Sequence, residues 1–108
     1  MNPGRMKERI TVQQAVKEAN RSGGYKIVAW EDVKTIWAYV KNFDPERDKI
    51  ASIDTRKALY DVWVRAADIS TENRLLWRNR VLEIDFVEEY LAGPPFYLIL
   101  KCKEARSL

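Results

Sequence analysis

Apolar and polar residues alternate with a period of two through most of this chain, and that period predicts strands rather than helices. Across residues 9–13, Ile10 and Val12 alternate with Arg9, Thr11 and Gln13, the pattern of a strand with one dry face. Asn20-Arg21-Ser22-Gly23-Gly24 supplies residues that tolerate positive φ and leads into residues 25–30, rich in β-formers, so the two segments read as a hairpin. A turn is expected at Glu31-Asp32, then a third strand over 33–41. It carries Ile36, Ala38 and Val40 on one side and Trp37 and Tyr39 on the other, so both of its sides are largely apolar.

The alternation then stops. Asp44-Pro45-Glu46 is a helix-start signal, with Asp44 placed to cap free amides and Pro45 suited to the first helical position. Residues 42–57 form a long insertion for so small a β-domain, a loop or short helix in which Ile50 and Ile53 share one face. Long loops in compact domains are usually functional or mobile. Its charges balance, Asp44, Glu46, Asp48 and Asp54 against Arg47, Lys49, Arg56 and Lys57, so a merely solvated connector is the plain alternative.

Alternation resumes over 58–66, with Tyr60, Val62 and Val64 on one face and Asp61, Trp63 and Arg65 on the other, leaving Trp63 on a polar side. A polar link over 68–73 precedes a short segment, 74–77, and a turn at Asn79. A strand over 80–87 should bury Leu82, Ile84 and Phe86. The Gly93-Pro94-Pro95 corner turns the chain into a last strand, 96–103, with Leu98, Leu100 and Cys102 inward. The expected fold is mainly β: one domain over 1–108, a small antiparallel barrel or sandwich of about six strands, with the insertion between the third and fourth.

Composition narrows the function more than the fold. With 108 residues there is material for one small core. The hydrophobic share of 46% against 32% charged is that of an ordinary globular chain. The 19 basic residues exceed the 16 acidic ones by too little, and too diffusely, to form the stripe of a dedicated duplex binder. A lone cysteine, Cys102, rules out a disulfide within the chain and any thiolate zinc cluster, suits a reducing cytoplasm, and reads as a half-buried thiol in a strand. The opening Met1-Asn2-Pro3-Gly4-Arg5 lacks the apolar stretch of a signal peptide, and no run approaches the roughly 20 apolar residues of a membrane helix, so neither export nor insertion is expected. There is no histidine, which removes the commonest general base and metal ligand. No catalytic residue, cofactor or metal is expected.

Taken in order, several stretches resemble the phage head–tail joining family, the head-completion or stopper proteins. These are Met1-Asn2-Pro3-Gly4-Arg5 with Arg9-Ile10-Thr11 and Gln13-Gln14, Gly23-Gly24, then Trp30-Glu31-Asp32-Val33 running into Ile36-Trp37-Ala38-Tyr39-Val40. Val64-Arg65, Ile69-Ser70, Arg74, Asn79-Arg80, Glu83-Ile84 and residues 98–104 follow at fitting intervals, so the likeness spans nearly the whole chain. Where the family commonly carries a glycine-containing segment after the third strand, this chain has Asp44-Pro45-Glu46-Arg47.

The resemblance implies a homo-oligomeric ring, hexamer or dodecamer, at the head–tail joint of the virion, built in the host bacterial cytoplasm, and leaves open whether the isolated subunit is a monomer. It implies portal and adaptor proteins above, tail proteins below, and packaged double-stranded DNA held non-specifically in the lumen. On that reading Trp37, Tyr39 and Trp63 are the candidate subunit contacts, because exposed aromatics are costly in water unless a neighbour covers them. The insertion is the candidate channel loop. Asp44, Glu46 and Asp48 would moderate the pull of Arg47, Lys49, Arg56 and Lys57 on phosphates, with Ile50 and Ile53 as anchors. Chain ends 2–7 and 104–108 would dock on adaptor or tail.

Two other classes compete. A lone barrel that stacks single-stranded nucleic acid on its aromatics would show salt-dependent oligonucleotide binding. A tail-completion protein of the same joint would bind tail tubes rather than portal–adaptor rings. An enzyme is a distant third, resting on Glu83 and Asp85 on one strand face.

Overall fold

The computed structural model describes residues 5–43, 59–65 and 68–107. They form six strands: β1 (Glu8–Ala19), β2 (Tyr25–Phe43), β3 (Leu59–Arg65), β4 (Arg74–Trp77), β5 (Arg80–Tyr90) and β6 (Tyr97–Ser107). All pair antiparallel in one sheet, in the order β1-β2-β3-β6-β5-β4, and β4 returns to β1 so that the sheet closes on itself. The expectation of a mainly β, antiparallel, six-stranded fold is borne out, with nearly all the described chain in strands and turns.

Alternation explains the core. Ile10 and Val12 from β1, Ala38 from β2, Tyr60, Val62 and Val64 from β3, and Leu75 and Trp77 from β4 all point inward. Leu82 and Ile84 from β5 and Leu98, Leu100 and Cys102 from β6 complete the cluster. Each of the larger aliphatics is worth roughly 1.5–3 kcal/mol on leaving water.

The structure divides the strands differently from the sequence reading. The turn expected at Glu31-Asp32 does not occur, and β2 runs unbroken through it for 19 residues. Glu31 and Asp32 sit opposite Gln14 and Gln13 of β1. Gln13 Nε2 donates to Asp32 Oδ1 at 2.7 Å, and Gln14 Nε2 donates to Glu31 Oε1. Acids that look like strand breakers are held in the ladder by side-chain amides across the strand pair. Bulges at Val28 and Val33, the residues skipped in the pairing with β1, bend the strand where a turn was expected. Residues 74–77 are a true strand, so the count remains six and the insertion falls between the second and third strands of the structure.

Phe86 is also corrected. It was expected inside and is 56% exposed. β5 skips Asp85 in its pairing with β6: Ile84 faces Cys102 and Phe86 faces Lys101. One extra residue reverses which side chains face in, so Val87, opposite Leu100, packs on the core and Phe86 turns to solvent.

Turn chemistry follows the sequence closely. Asn20 Oδ1 accepts from the backbone N–H groups of Ser22 and Gly24, with Gly23 at φ 84°. Arg78 and Asn79 both have positive φ, 48° and 61°, as a two-residue hairpin between β4 and β5 requires.

Candidate functional site

The register places the three candidate contact aromatics on one outward face. Tyr39 of β2 is paired directly with Trp63 of β3, and Trp37 lies two residues from Tyr39 on the same side. Trp37 is 52% exposed, and the Arg9 guanidinium lies 4.5 Å above its ring. Beside it a cleft of about 450 Å³ is lined by Met6, Lys7, Trp37 and Arg65. Trp63 differs, because its own chain covers part of it: Tyr90 and Tyr97 meet its ring edge-on at centroid distances of 5.3 and 6.3 Å.

A second surface was not foreseen from the strand pattern. β4 reaches β1 only at residues 11–13, and β3 reaches β2 only at residues 39–43. Residues 14–31 therefore leave the closed sheet as a two-stranded arm. Within it Tyr25 is 74% exposed and Ile27 52%, and every residue from 17 to 29 is exposed, on both faces, while Ala15, Val16 and Trp30 nearer the root are half-buried. The arm is anchored at its root by Gln13, which is buried. Gln13 bonds Asp32, accepts from Arg74 Nε at 2.7 Å, and through its carbonyl accepts from Asn73 Nδ2 at 3.1 Å. Arg74 in turn lies 4.5 Å over the Trp30 ring. Unpaired polar groups at such a point are costly, so this network fixes the angle at which the arm leaves.

The third feature is a basic mouth where the insertion leaves and rejoins the sheet. β2 runs two residues into the segment expected as the insertion, and its last residue, Phe43, is paired with Leu59, the first of β3. Next to them a cleft of about 470 Å³ is lined by Arg5, Lys7, Arg78 and Arg80 together with Tyr39, Tyr60 and Trp77. Glu8 organises it: Trp77 Nε1 donates to Glu8 Oε1 at 2.8 Å, and Arg78 is ion-paired to the same carboxylate at 2.7 Å. The Trp77 hydrogen bond, with Arg78 adding to it and partial burial opposing, holds the Glu8 carboxyl below its ordinary 4.5. A carboxyl made more acidic by folding contributes stability above its unfolded value and loses it as pH falls through the lowered folded value. Glu8→Gln should therefore be less stable than the parent at neutral pH by on the order of 0.5–1 kcal/mol. Urea midpoints measured down a pH series should converge below 4.5. A gap that persists in acid would mean that the charge is not what matters.

The remaining candidates fall apart as chemistry. Glu83 and Asp85 do lie together, but both face Lys103 Nζ, at 4.0 and 3.5 Å. Among the described residues no three metal-binding side chains gather. Cys102 is buried, its thiol pushed up to about 12 by burial first and then by Asp85 and Asp61. The nine residues assigned to the channel loop, Asp44, Glu46, Arg47, Asp48, Lys49, Ile50, Ile53, Arg56 and Lys57, lie outside the described residues.

What the described residues present is a set of surfaces. The family model for the phage head completion protein matches residues 1–105. The chain belongs to the phage head completion protein family. That is a family of structural phage head proteins, not of enzymes, and it agrees with the resemblance carried by the sequence motifs. Among solved structures, one similar to this head completion protein is the solution structure of a protein from Shigella flexneri 2a, 25% identical, TM-score 0.69, covering 97% of each chain. Another is a chain of the virion of a native gene transfer agent particle, 22% identical, TM-score 0.68, covering 96% of this chain and 98% of that one, a likeness of fold. No curated protein matches.

Sequence reasoning missed the arm and the exposed end of β5. The available signal for the arm was a run in which Tyr25, Ile27, Val28 and Trp30 break strict alternation, leaving apolar residues on both faces. Phe86, Leu91 and Phe96, all exposed, carried no signal of their own, because the bulge that turns Phe86 outward depends on pairing with a distant strand.

Proposed function

We propose that the chain is a ring-forming stopper of the head–tail joint, seated beneath the portal and adaptor, where it helps retain packaged DNA and offers the surface on which the tail attaches. The observation that carries this reading is the surplus of exposed apolar side chains on a small closed sheet of the head completion family. Tyr25, Ile27, Val28, Val33 and Trp37 fall on β2, while Phe86, Leu91 and Phe96 fall around the β5–β6 turn. Apolar surface of this kind, rimmed by charge, is what subunits of an assembly bury. The likeness to a chain from a gene transfer agent virion supports the same setting.

In this reading Trp37, Tyr39 and Trp63 meet neighbouring subunits, and the basic mouth faces the lumen with the insertion, residues 42–57, beside it as the channel element. Arg5 and Lys7 pair with no carboxylate among the described residues and are free to meet phosphates. Arg78 and Arg80 are held by Glu8 and Glu104, which keeps the pull on DNA weak enough for it to slide.

The test is to mix the purified chain with portal–adaptor connector particles and image them by electron microscopy. A ring of added density beneath the adaptor is expected; binding to tail tubes instead would assign the tail-completion position, and binding to neither would overturn the reading. Trp37→Ala should abolish the added ring. Its cost to folding should be only about 0.5–1 kcal/mol, the worth of one exposed cation–π contact. A large loss of stability with assembly intact would remove Trp37 from the interface.

A further inference from the structure

The two groups of exposed apolar residues differ in charge, and the difference is complementary. The arm tip carries Lys17, Arg21 and Lys26 against Glu18, and none of these makes an ion pair among the described residues. Among the described residues no strand lies beside β5 residues 84–90 on the side away from β6, because β4 covers β5 only as far as Glu83. On that edge Asp85 and Glu88 reach Lys103 and Lys101 of β6, lysines already engaged by Glu83 and by Asp61 of β3, and Glu89 meets no cation among the described residues. One surface is therefore apolar and basic, built on Tyr25, Ile27 and Val28. The other is apolar and acidic, built on Phe86, Leu91 and Phe96.

We infer that the arm tip of one copy docks on the β5 edge of another copy of this chain. A lone two-stranded ribbon is marginal in water, so an arm exposed on both faces is stabilised by what covers it. The rigid root at Gln13 holds it out ready to be covered. Because the two surfaces are different patches, the contact is head-to-tail, and repeated with a rotation that closes it builds a ring rather than a self-complementary pair. The inference rests on the ring reading above but names a contact which that reading does not require.

Charge reversal tests it. Lys17→Glu/Arg21→Glu/Lys26→Glu and, separately, Glu88→Lys/Glu89→Lys should each weaken self-association at least ~10-fold, because like charges now meet. Combining all five substitutions in one chain should restore it. Association is read by sedimentation of the chain alone at high concentration and by electron microscopy of chain bound to connector particles, with circular dichroism to establish that each variant folds. A second measurement uses Ile27→Cys and Leu91→Cys chains, mixed and treated with a bifunctional maleimide, Cys102 being buried. The expected product is an arm-to-edge cross-link in at least one of the two settings. Arm-to-arm products, no restoration by the combined variant, or no cross-link in either setting would overturn the inference. Were rings on connectors to form normally in both reversed variants, the docking contact would fall while the stopper reading stood.

Discussion

Replacing Leu100 with alanine should lower the unfolding free energy by roughly 2–5 kcal/mol, the range for deleting a fully buried leucine side chain. Leu100 is wholly inaccessible and sits in register with Val62 on one side and Val87 on the other. Both neighbouring strands are hydrogen-bonded to β6, so the walls of the cavity have little freedom to collapse into it. For a chain of this size each 1 kcal/mol corresponds to roughly 4–8 °C in melting temperature. Thermal and urea unfolding followed by tryptophan fluorescence would measure the loss. Phe86→Ala is the internal control: pointed outward by the Asp85 bulge, it should cost less than about 1 kcal/mol. Equal losses at the two positions would contradict the register.

Gln13→Ala should cost about 1–3 kcal/mol, the usual effect of leaving buried polar partners unsatisfied. It removes the bridge between Asp32 and the Arg74 guanidinium in one step. The loss should be uneven. Amide exchange measured by mass spectrometry should accelerate over residues 14–31 while β3 and β6 stay protected, because those strands share no bond with Gln13. Gln13→Glu is the sharper variant, since it keeps an acceptor for Arg74 but sets a second carboxylate against Asp32. Uniform loss of protection would mean that the arm and the closed sheet unfold as one unit.

What was legible in the sequence was whatever is decided locally. The inward sets on β3 and β6, Tyr60, Val62 and Val64 with Leu98, Leu100 and Cys102, were read correctly because strict alternation over an unbroken strand leaves no choice of face. The turns at 20–24 and at Asn79 were legible because their residues tolerate positive φ, although Arg78, which shares the second turn, was not named. The misreadings fall where pairing with a distant strand decides. Glu31-Asp32 looks like a turn until Gln13 and Gln14 are placed opposite it. Phe86 looks buried until β6 forces a bulge at Asp85. Of the candidate site, the sequence found Trp37, Tyr39 and Trp63 as residues out of keeping with a solvated strand. It could not reveal that Tyr90 and Tyr97 already shelter one of them. The arm was missed because its exposure comes from where β3 and β4 stop, which the broken alternation over residues 25–30 does not by itself reveal.

The seam between β1 and β4 spans only residues 11–13 and 74–76, yet without it the sheet would not close. Those segments lie far apart in the chain, whereas the β1–β2, β4–β5 and β5–β6 hairpins form from neighbours. Loop-closure entropy therefore makes this join the late, slow event of folding. Until it forms, the nascent molecule is an open ribbon with unsatisfied edges along β1 and β4, and crowded chains in that condition stick to one another. Yield from expression should consequently be governed less by core quality than by how quickly a four-residue strand finds its place.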